Sequence, residues 1–169
     1  MSQPTTIRVT PHPASELTPV RALRLAWLCW LGLLVVPFTL VLFLIWNWSP
    51  GPTTGTQAGW EKWFIGSMVY VALSVSASLF WRGHVFKPYW AGRPVAPGDY
   101  LWGMVAVWTA LAVAGIVSLI GCFVTGSLAP NLIPAAMSLF LYLTMWPGGK
   151  AMVGGVGNAD DSEVYTEPN

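Results

Sequence analysis

Charge is what this sequence has least of. Only 9% of its 169 residues are Asp, Glu, Lys or Arg, whereas a typical soluble domain has about 25%. None of these four residue types occurs in the windows 25–60, 63–81 and 100–149, which hold most of the Leu, Val, Phe and Trp. A run of about 20 apolar residues can cross a hydrocarbon core about 30 Å thick. The pattern therefore predicts a polytopic membrane protein.

Cysteine and histidine are also scarce, which excludes several kinds of site. Cys29 and Cys122 both lie inside apolar runs and form no C-x-x-C motif, so neither a thioredoxin-type centre nor a zinc ribbon is predicted. His12 and His84 lie outside the apolar runs, whereas haem ligation within a bilayer needs an imidazole inside a span. A net charge of +1 gives no sign of nucleic-acid binding. We expect no metal, no cofactor and no nucleic-acid partner.

No Asp, Glu, Lys, Arg or His lies inside a predicted span. In membrane proteins such residues mark proton relays and substrate pathways, and catalysis needs an acid–base or nucleophile–base pair within reach. The sequence shows no such pair and no embedded carboxylate. We therefore expect no catalytic residue and no enzymatic activity, and the sequence does not favour a proton-coupled exporter.

The apolar windows divide into four spans. A turn-rich stretch at 126–131 breaks the last window in two, and Asp99 and Asn131 are predicted to cap the helices that follow them. The fourth helix is the shortest, and it either ends near Trp146 or extends to about Met152. The fold class is thus an all-α bundle of four transmembrane helices, at about 25–46, 63–81, 100–125 and 132–146.

Lys and Arg are distributed unevenly between the loops of this map. The N-terminal tail (1–24), the loop between the second and third spans, and the segment after the fourth span together carry seven, while the loop between the first two spans carries only Lys62. The positive-inside rule then puts both termini in the cytoplasm, and we expect the plasma (inner) membrane of a bacterium. The transmembrane domain covers 25–152, and the acidic tail 153–169 is expected to be disordered.

Tryptophan, in contrast, is abundant. Ten of the eleven Trp residues lie near an end of a predicted span, where indole rings favour the headgroup level. Only Trp108 lies clearly deeper. The distribution is typical of an aromatic belt.

Small residues predict where the helices meet, because lipid tails are as apolar as Leu and association depends on close packing and hydrogen bonds. The second and third spans are expected to pack through them; the alternative is that one row faces another protein. In the third span a small residue recurs every four positions, and this row should wind around the helix by about 40° per step. The packing residues are Ser67, Ser74 and Ser78 of the second span and Ala106, Ala110, Ala114, Ser118 and Cys122 of the third.

The loop between the second and third spans is the richest polar segment. It mixes cations, a histidine and aromatic side chains, a surface that suits anionic lipid headgroups or an acidic partner. The alternative is an ordinary positive-inside loop with its aromatic belt. The candidate contact residues are Arg82, His84, Lys87, Trp90 and Arg93.

These absences favour a non-catalytic accessory, anchoring or assembly subunit of a larger membrane complex. Its expected partners are the lipid bilayer and other membrane subunits or a second copy of itself. The alternative is a small homo-oligomeric transporter or channel, whose polar path would use the face formed by Ser67, Ser74 and Ser78.

Overall fold

The computed structural model describes residues 17–47, 60–126 and 128–153, and within them every regular element is helical. The predicted all-α class is confirmed. The predictions for His12 and for the tails at 1–16 and 154–169 lie outside the described residues. The elements are α1 Pro19–Asn47, α2 Trp60–Val85, the short α3 Lys87–Trp90, α4 Pro97–Thr125 and α5 Leu128–Thr144, followed by a 3-10 turn at Lys150–Met152.

Three of these helices, α1, α2 and α4, are long and apolar enough to cross a membrane. They contain 29, 26 and 29 residues, which at about 1.5 Å per residue is more than a hydrocarbon core requires. Helix α5 is also apolar but has only 17 residues, or about 25 Å. The protein therefore has the helices of a multi-pass membrane protein.

The helices begin earlier than the charge pattern predicts, because the chain uses other starting signals. Thr18 caps α1, since the N–H of Arg21 donates to its Oγ1 at 3.4 Å, and Pro19 takes the first helical position, where its missing N–H costs nothing. The predicted Asp99 cap is wrong. Ala96 is the cap residue of α4, Pro97 follows it, and Asp99 lies within the first turn.

The predicted Asn131 cap is also wrong, because α5 begins at Leu128 and Asn131 lies inside it. Its side chain is fully buried, and its Nδ2 donates to Oγ1 of Thr125 at 2.8 Å. The Thr125 hydroxyl in turn donates to the carbonyl of Gly121 at 2.7 Å. The amide thus joins the start of α5 to the end of α4 instead of capping its own helix.

Helix α4 is the centre of the bundle. It makes the most extensive contacts, with α2, α5 and α1, and 56% of its apolar window is buried, compared with 11% for α1 and 17% for α2. Ala22 and Ala26 of α1 belong to the same core cluster as Tyr100 and Met104. Near the other end, Leu44 packs with Leu119 and Cys122. Helices α1 and α4 are therefore parallel.

Helices α2 and α5 run in the opposite direction to α4. Val85, the last residue of α2, lies very close to Gly103 of α4. A Cβ atom added to Gly103 would be 2.5 Å from Cγ2 of Val85. Asn131, in the first turn of α5, lies beside Gly121 near the end of α4. Successive long helices therefore alternate in direction.

One side of α4 is left open. Gly103 and Val117 face α2, the ring of Phe123 contacts Phe43 of α1, and Leu111 and Gly115 face α5. At about 100° per residue, the remaining stripe lies between α1 and α2, opposite α5. Its exposed residues, called the open face below, are Trp102, Ala106, Thr109, Val113 and Ile120.

Candidate functional site

The chain after α5 folds back over the beginning of α4 and closes one end of the bundle. It turns at 147–149, where Gly149 has a left-handed φ of 69° that glycine adopts without steric cost. A Cβ atom on Gly149 would also lie 3.1 Å from Cδ1 of Leu23 in α1. The conformation therefore favours glycine, and a larger residue would also require the Leu23 side chain to shift by a few tenths of an ångström. Ala151 and Met152 of the following 3-10 turn are buried.

Two hydrogen bonds fasten this closing segment. The indole N–H of Trp108 donates to the carbonyl of Met145 at 2.7 Å, and Trp108 is completely buried. The backbone N–H of Val95, in the loop before α4, donates to the carbonyl of Ala151 at 2.8 Å. Unsatisfied backbone groups are costly in an apolar environment, so both bonds support an irregular segment at the end of an apolar bundle.

Helix α1 is joined to α5 at the same end by a reciprocal pair. The indole N–H of Trp30 donates to the carbonyl of Tyr142 at 3.4 Å, and the Tyr142 hydroxyl donates to the carbonyl of Trp30. Their rings are stacked with centroids 5.7 Å apart. Trp27 meets Trp30 edge to face at 5.5 Å. The aromatic cluster therefore holds α1 against the end of α5, just before the closing segment begins.

An open cavity of about 570 Å³ lies between these elements, and its volume falls in the range typical of small-molecule sites. We call it the end cavity. Its walls come from four separate parts of the chain: α1, the end of α2 with α3, the beginning of α4, and the segment after α5. The lining residues are Trp27, Arg82, Phe86, Tyr89, Trp90, Tyr100, Met104, Thr144, Met145, Trp146, Pro147, Gly148, Gly149, Lys150 and Ala151.

The end cavity is cationic and aromatic. Arg82 and Lys150 are its charged lining residues, and no acidic side chain is among the described residues that line it. Cζ of Arg82 lies 5.5 Å from the ring centroid of Phe86, a cation–π arrangement that keeps the guanidinium near the cavity wall. The Tyr100 hydroxyl accepts the N–H of Gly149 at 3.4 Å, which ties the floor of the cavity to the turn.

The cavity includes two of the five candidate residues in the loop between α2 and α4. Arg82 and Trp90 line it, and both are exposed. His84 instead lies beside Trp81, with ring centroids 6.3 Å apart. Lys87, in α3, and Arg93, in the following turn, are exposed but outside the lining.

Sequence reasoning missed the cavity residues that come from distant parts of the chain. Charge counting assigns Lys150 to the same side as Arg82 but does not join the two residues, and Trp27 and Trp146 are assigned only to the aromatic belt. The available signal was the run Pro-Gly-Gly-Lys at 147–150, because adjacent glycines after an apolar helix predict a turn that redirects the chain.

The row of small residues in α4 changes its surroundings along the helix. Ala106 is exposed, Ala110 is half-buried, and Ala114, Ser118 and Cys122 are buried. The change agrees with the expected drift of about 40° per step. The row therefore starts on the open face and ends inside the bundle.

The serine row of α2 lies mainly inside the bundle. Ser67 and Ser78 are buried, whereas Ser74 is half-buried. Ser67 lines a small cleft of about 280 Å³ with Val117 of α4. Oγ of Ser67 and Oγ of Ser78 have no hydrogen-bond partner among the described residues. These serines act as small side chains that let α2 approach its neighbours.

The chemistry that this arrangement offers is binding by cations and aromatic rings. In the described part of the chain no group of three or more His, Cys, Asp or Glu side chains is placed to hold a metal ion, and Cys29 and Cys122 are both free thiols. Comparison with protein-family models, curated proteins and solved structures finds no match to this chain.

Proposed function

We propose that this protein is a non-catalytic accessory or anchoring subunit of a larger membrane complex, and that the open face of α4 receives a transmembrane helix of another subunit. The observation that carries the proposal is that the most buried helix of the bundle is covered on three sides only. Trp102 is 75% exposed, whereas Trp108 on the covered side is fully buried. A central helix with an uncovered side is suited to intermolecular packing.

The residues of the open face favour a helix over lipid tails as the occupant. Ala106 is exposed near the middle of α4, Thr109 adds an exposed hydroxyl, and Ala110 lies half-buried beside them. Small side chains let two helix backbones approach closely, and a hydroxyl can hydrogen-bond across the contact. Lipid tails gain little from either feature, because they need no close backbone approach.

The proposed topology has four crossings, with both termini in the cytoplasm. Alternating helix directions support it, because α1 and α4 are parallel while α2 and α5 are antiparallel to them. Arg82, Arg93 and Lys150 gather at one end of the bundle. At the other end, the charged residues within the described ranges are Glu61 and Lys62 at the start of α2. The positive-inside rule assigns the cationic end to the cytoplasm. A bacterial plasma membrane stays a prediction from the sequence.

The transporter alternative has less support. A homo-oligomeric pore along the serine row would need Ser67 and Ser78 on the surface of each copy, yet both are buried within one chain. Only Ser74 is partly accessible.

The test is a mild-detergent purification of the tagged full chain from its native host, with copurifying proteins identified and their stoichiometry counted. The variant Ala106→Phe fills the open face. The matched control is Ala72→Phe, because Ala72 is an exposed alanine in the middle of α2. We expect a membrane-protein partner at a fixed ratio with the unmodified chain and with Ala72→Phe, and its loss with Ala106→Phe.

Two results would contradict the proposal. One is a complex that contains only copies of this chain, which would favour the transporter alternative. The other is a partner retained equally by both variants, which would show that the open face is not the contact.

A further inference from the structure

The end cavity has features of a binding site that are independent of the open face. Its two cations come from different elements, Arg82 from the end of α2 and Lys150 from the segment after α5. Like charges brought to one cavity without an acidic lining residue repel each other, and an anion between them relieves that repulsion. An arginine fork and a lysine ammonium are also the donors that bind phosphate most often in proteins.

The rest of the lining suits a ligand with an apolar part. Aromatic side chains from every wall surround the cavity, including Trp27 of α1, Trp90 of α3 and Trp146 after α5. All three are exposed and lie at the ends of apolar helices, where indole rings prefer the headgroup region of a bilayer. The cavity therefore combines two exposed cations with aromatic side chains of the kind that favour the headgroup level.

We infer that the end cavity binds the phosphate of an anionic membrane phospholipid, with Arg82 and Lys150 as its charged ligands. Further cations on the same loop, Lys87 and Arg93, lie outside the cavity and contribute only a general attraction to an anionic surface. The inference does not depend on the proposed subunit function. It requires only that the cavity meets the headgroup layer.

The test measures lipid preference in nanodiscs that contain the full chain and spin-labelled phosphatidylglycerol or phosphatidylcholine. The double variant Arg82→Gln/Lys150→Gln removes both cavity cations. The matched control, Lys87→Gln/Arg93→Gln, removes the same charge from the same end. A third variant, Arg82→Lys/Lys150→Arg, keeps both charges. All four substituted positions are exposed, so folding is expected to be preserved and is checked by circular dichroism.

We expect the unmodified chain to restrict phosphatidylglycerol more than phosphatidylcholine. In the cavity variant, the preference for phosphatidylglycerol should fall by a factor of about five or more. In the control it should fall by less than a factor of two, and the charge-preserving variant should keep it. An equal loss in the cavity variant and the control would overturn the inference in favour of a diffuse cationic surface. Displacement of the labelled lipid by millimolar inorganic phosphate would overturn it in favour of a free-phosphate site.

Discussion

Helix α4 meets its two antiparallel neighbours by different means. Towards α5 and the segment after it, α4 makes directional polar contacts: the Ser138 hydroxyl donates to the carbonyl of Leu111 at 2.7 Å, and the indole N–H of Trp108 donates to the carbonyl of Met145. Towards α2 it relies on close approach, at Gly103 against Val85, while the buried hydroxyl of Ser78 has no hydrogen-bond partner among the described residues.

The difference follows from helix length and from the solvent. Lipid supplies no hydrophobic force between helices, so each contact must be either polar or very close. Helix α2 is long and apolar enough to cross a bilayer, and a helix of that kind can be oriented by the membrane itself. Helix α5 is short and is followed by irregular chain, which membrane proteins tolerate only where its backbone groups are satisfied by protein. Polar contacts therefore occur where the helix is too short to position itself.

The largest expected effect is from Trp108→Ala, which removes a large buried side chain on the α5 side. Trp108 is fully buried and its indole holds the segment after α5. We expect the free energy of unfolding to fall by roughly 3 kcal/mol, near the lower end of the range for Trp→Ala in soluble cores. The variant loses packing, but in a membrane the side chain is not transferred from water on folding, so that part of the cost is absent. Unfolding in mixed micelles, followed by circular dichroism, measures this change.

Trp102→Ala is the matched control for this prediction. It removes the same side chain from the same helix, but Trp102 is 75% exposed on the open face. The isolated chain should change by less than about 0.5 kcal/mol. Similar losses for the two variants would show that α4 has no distinct covered side, which would remove the basis of the comparison.

The α2 side should respond most to added volume. In Gly103→Ala the new Cβ would lie 2.5 Å from Cγ2 and 2.8 Å from Cγ1 of Val85. Valine is stiff at χ1, so the helices must move apart, at a cost of about 1–3 kcal/mol. In Gly121→Ala the nearest atom is Cγ of Asn131 at 3.4 Å, an ordinary contact. That variant should be neutral or gain up to about 1 kcal/mol from helix propensity, and the same unfolding assay compares the two.

The positions of the long helices could be predicted from the sequence because lipid excludes charge. The starting points could not be predicted to the residue. Pro19 and Pro97 begin their helices outside the charge-free windows, and a proline after a capping position is a local signal that charge counting ignores. Asn131 looked like a cap because its type is favoured there, but the structure uses its amide to join two helices.

The end cavity could be predicted only in part. Arg82 and Trp90 were recognised because they lie in one loop with other cations and rings. Lys150 and Trp27 are far from that loop in sequence, and only the antiparallel packing and the turn at Gly149 bring them to it. Such long-range proximity leaves no local pattern. The predicted winding of the small-residue row agrees with the structure, because helix geometry alone determines it.

The smallest expected effects come from two serines that differ in one respect. Ser138 and Ser78 are both buried, but only Ser138 donates a hydrogen bond to another helix among the described residues. Ser138→Ala should cost about 0.6 kcal/mol, the average for such bonds in a membrane protein. Ser78→Ala should cost nothing or stabilise the bundle slightly, since it removes a buried hydroxyl that has no partner. The free energies of unfolding of the two variants are compared in the same micelles. If Ser78→Ala costs as much as Ser138→Ala, α2 is also held by a polar contact, and the two sides of α4 do not differ in chemistry.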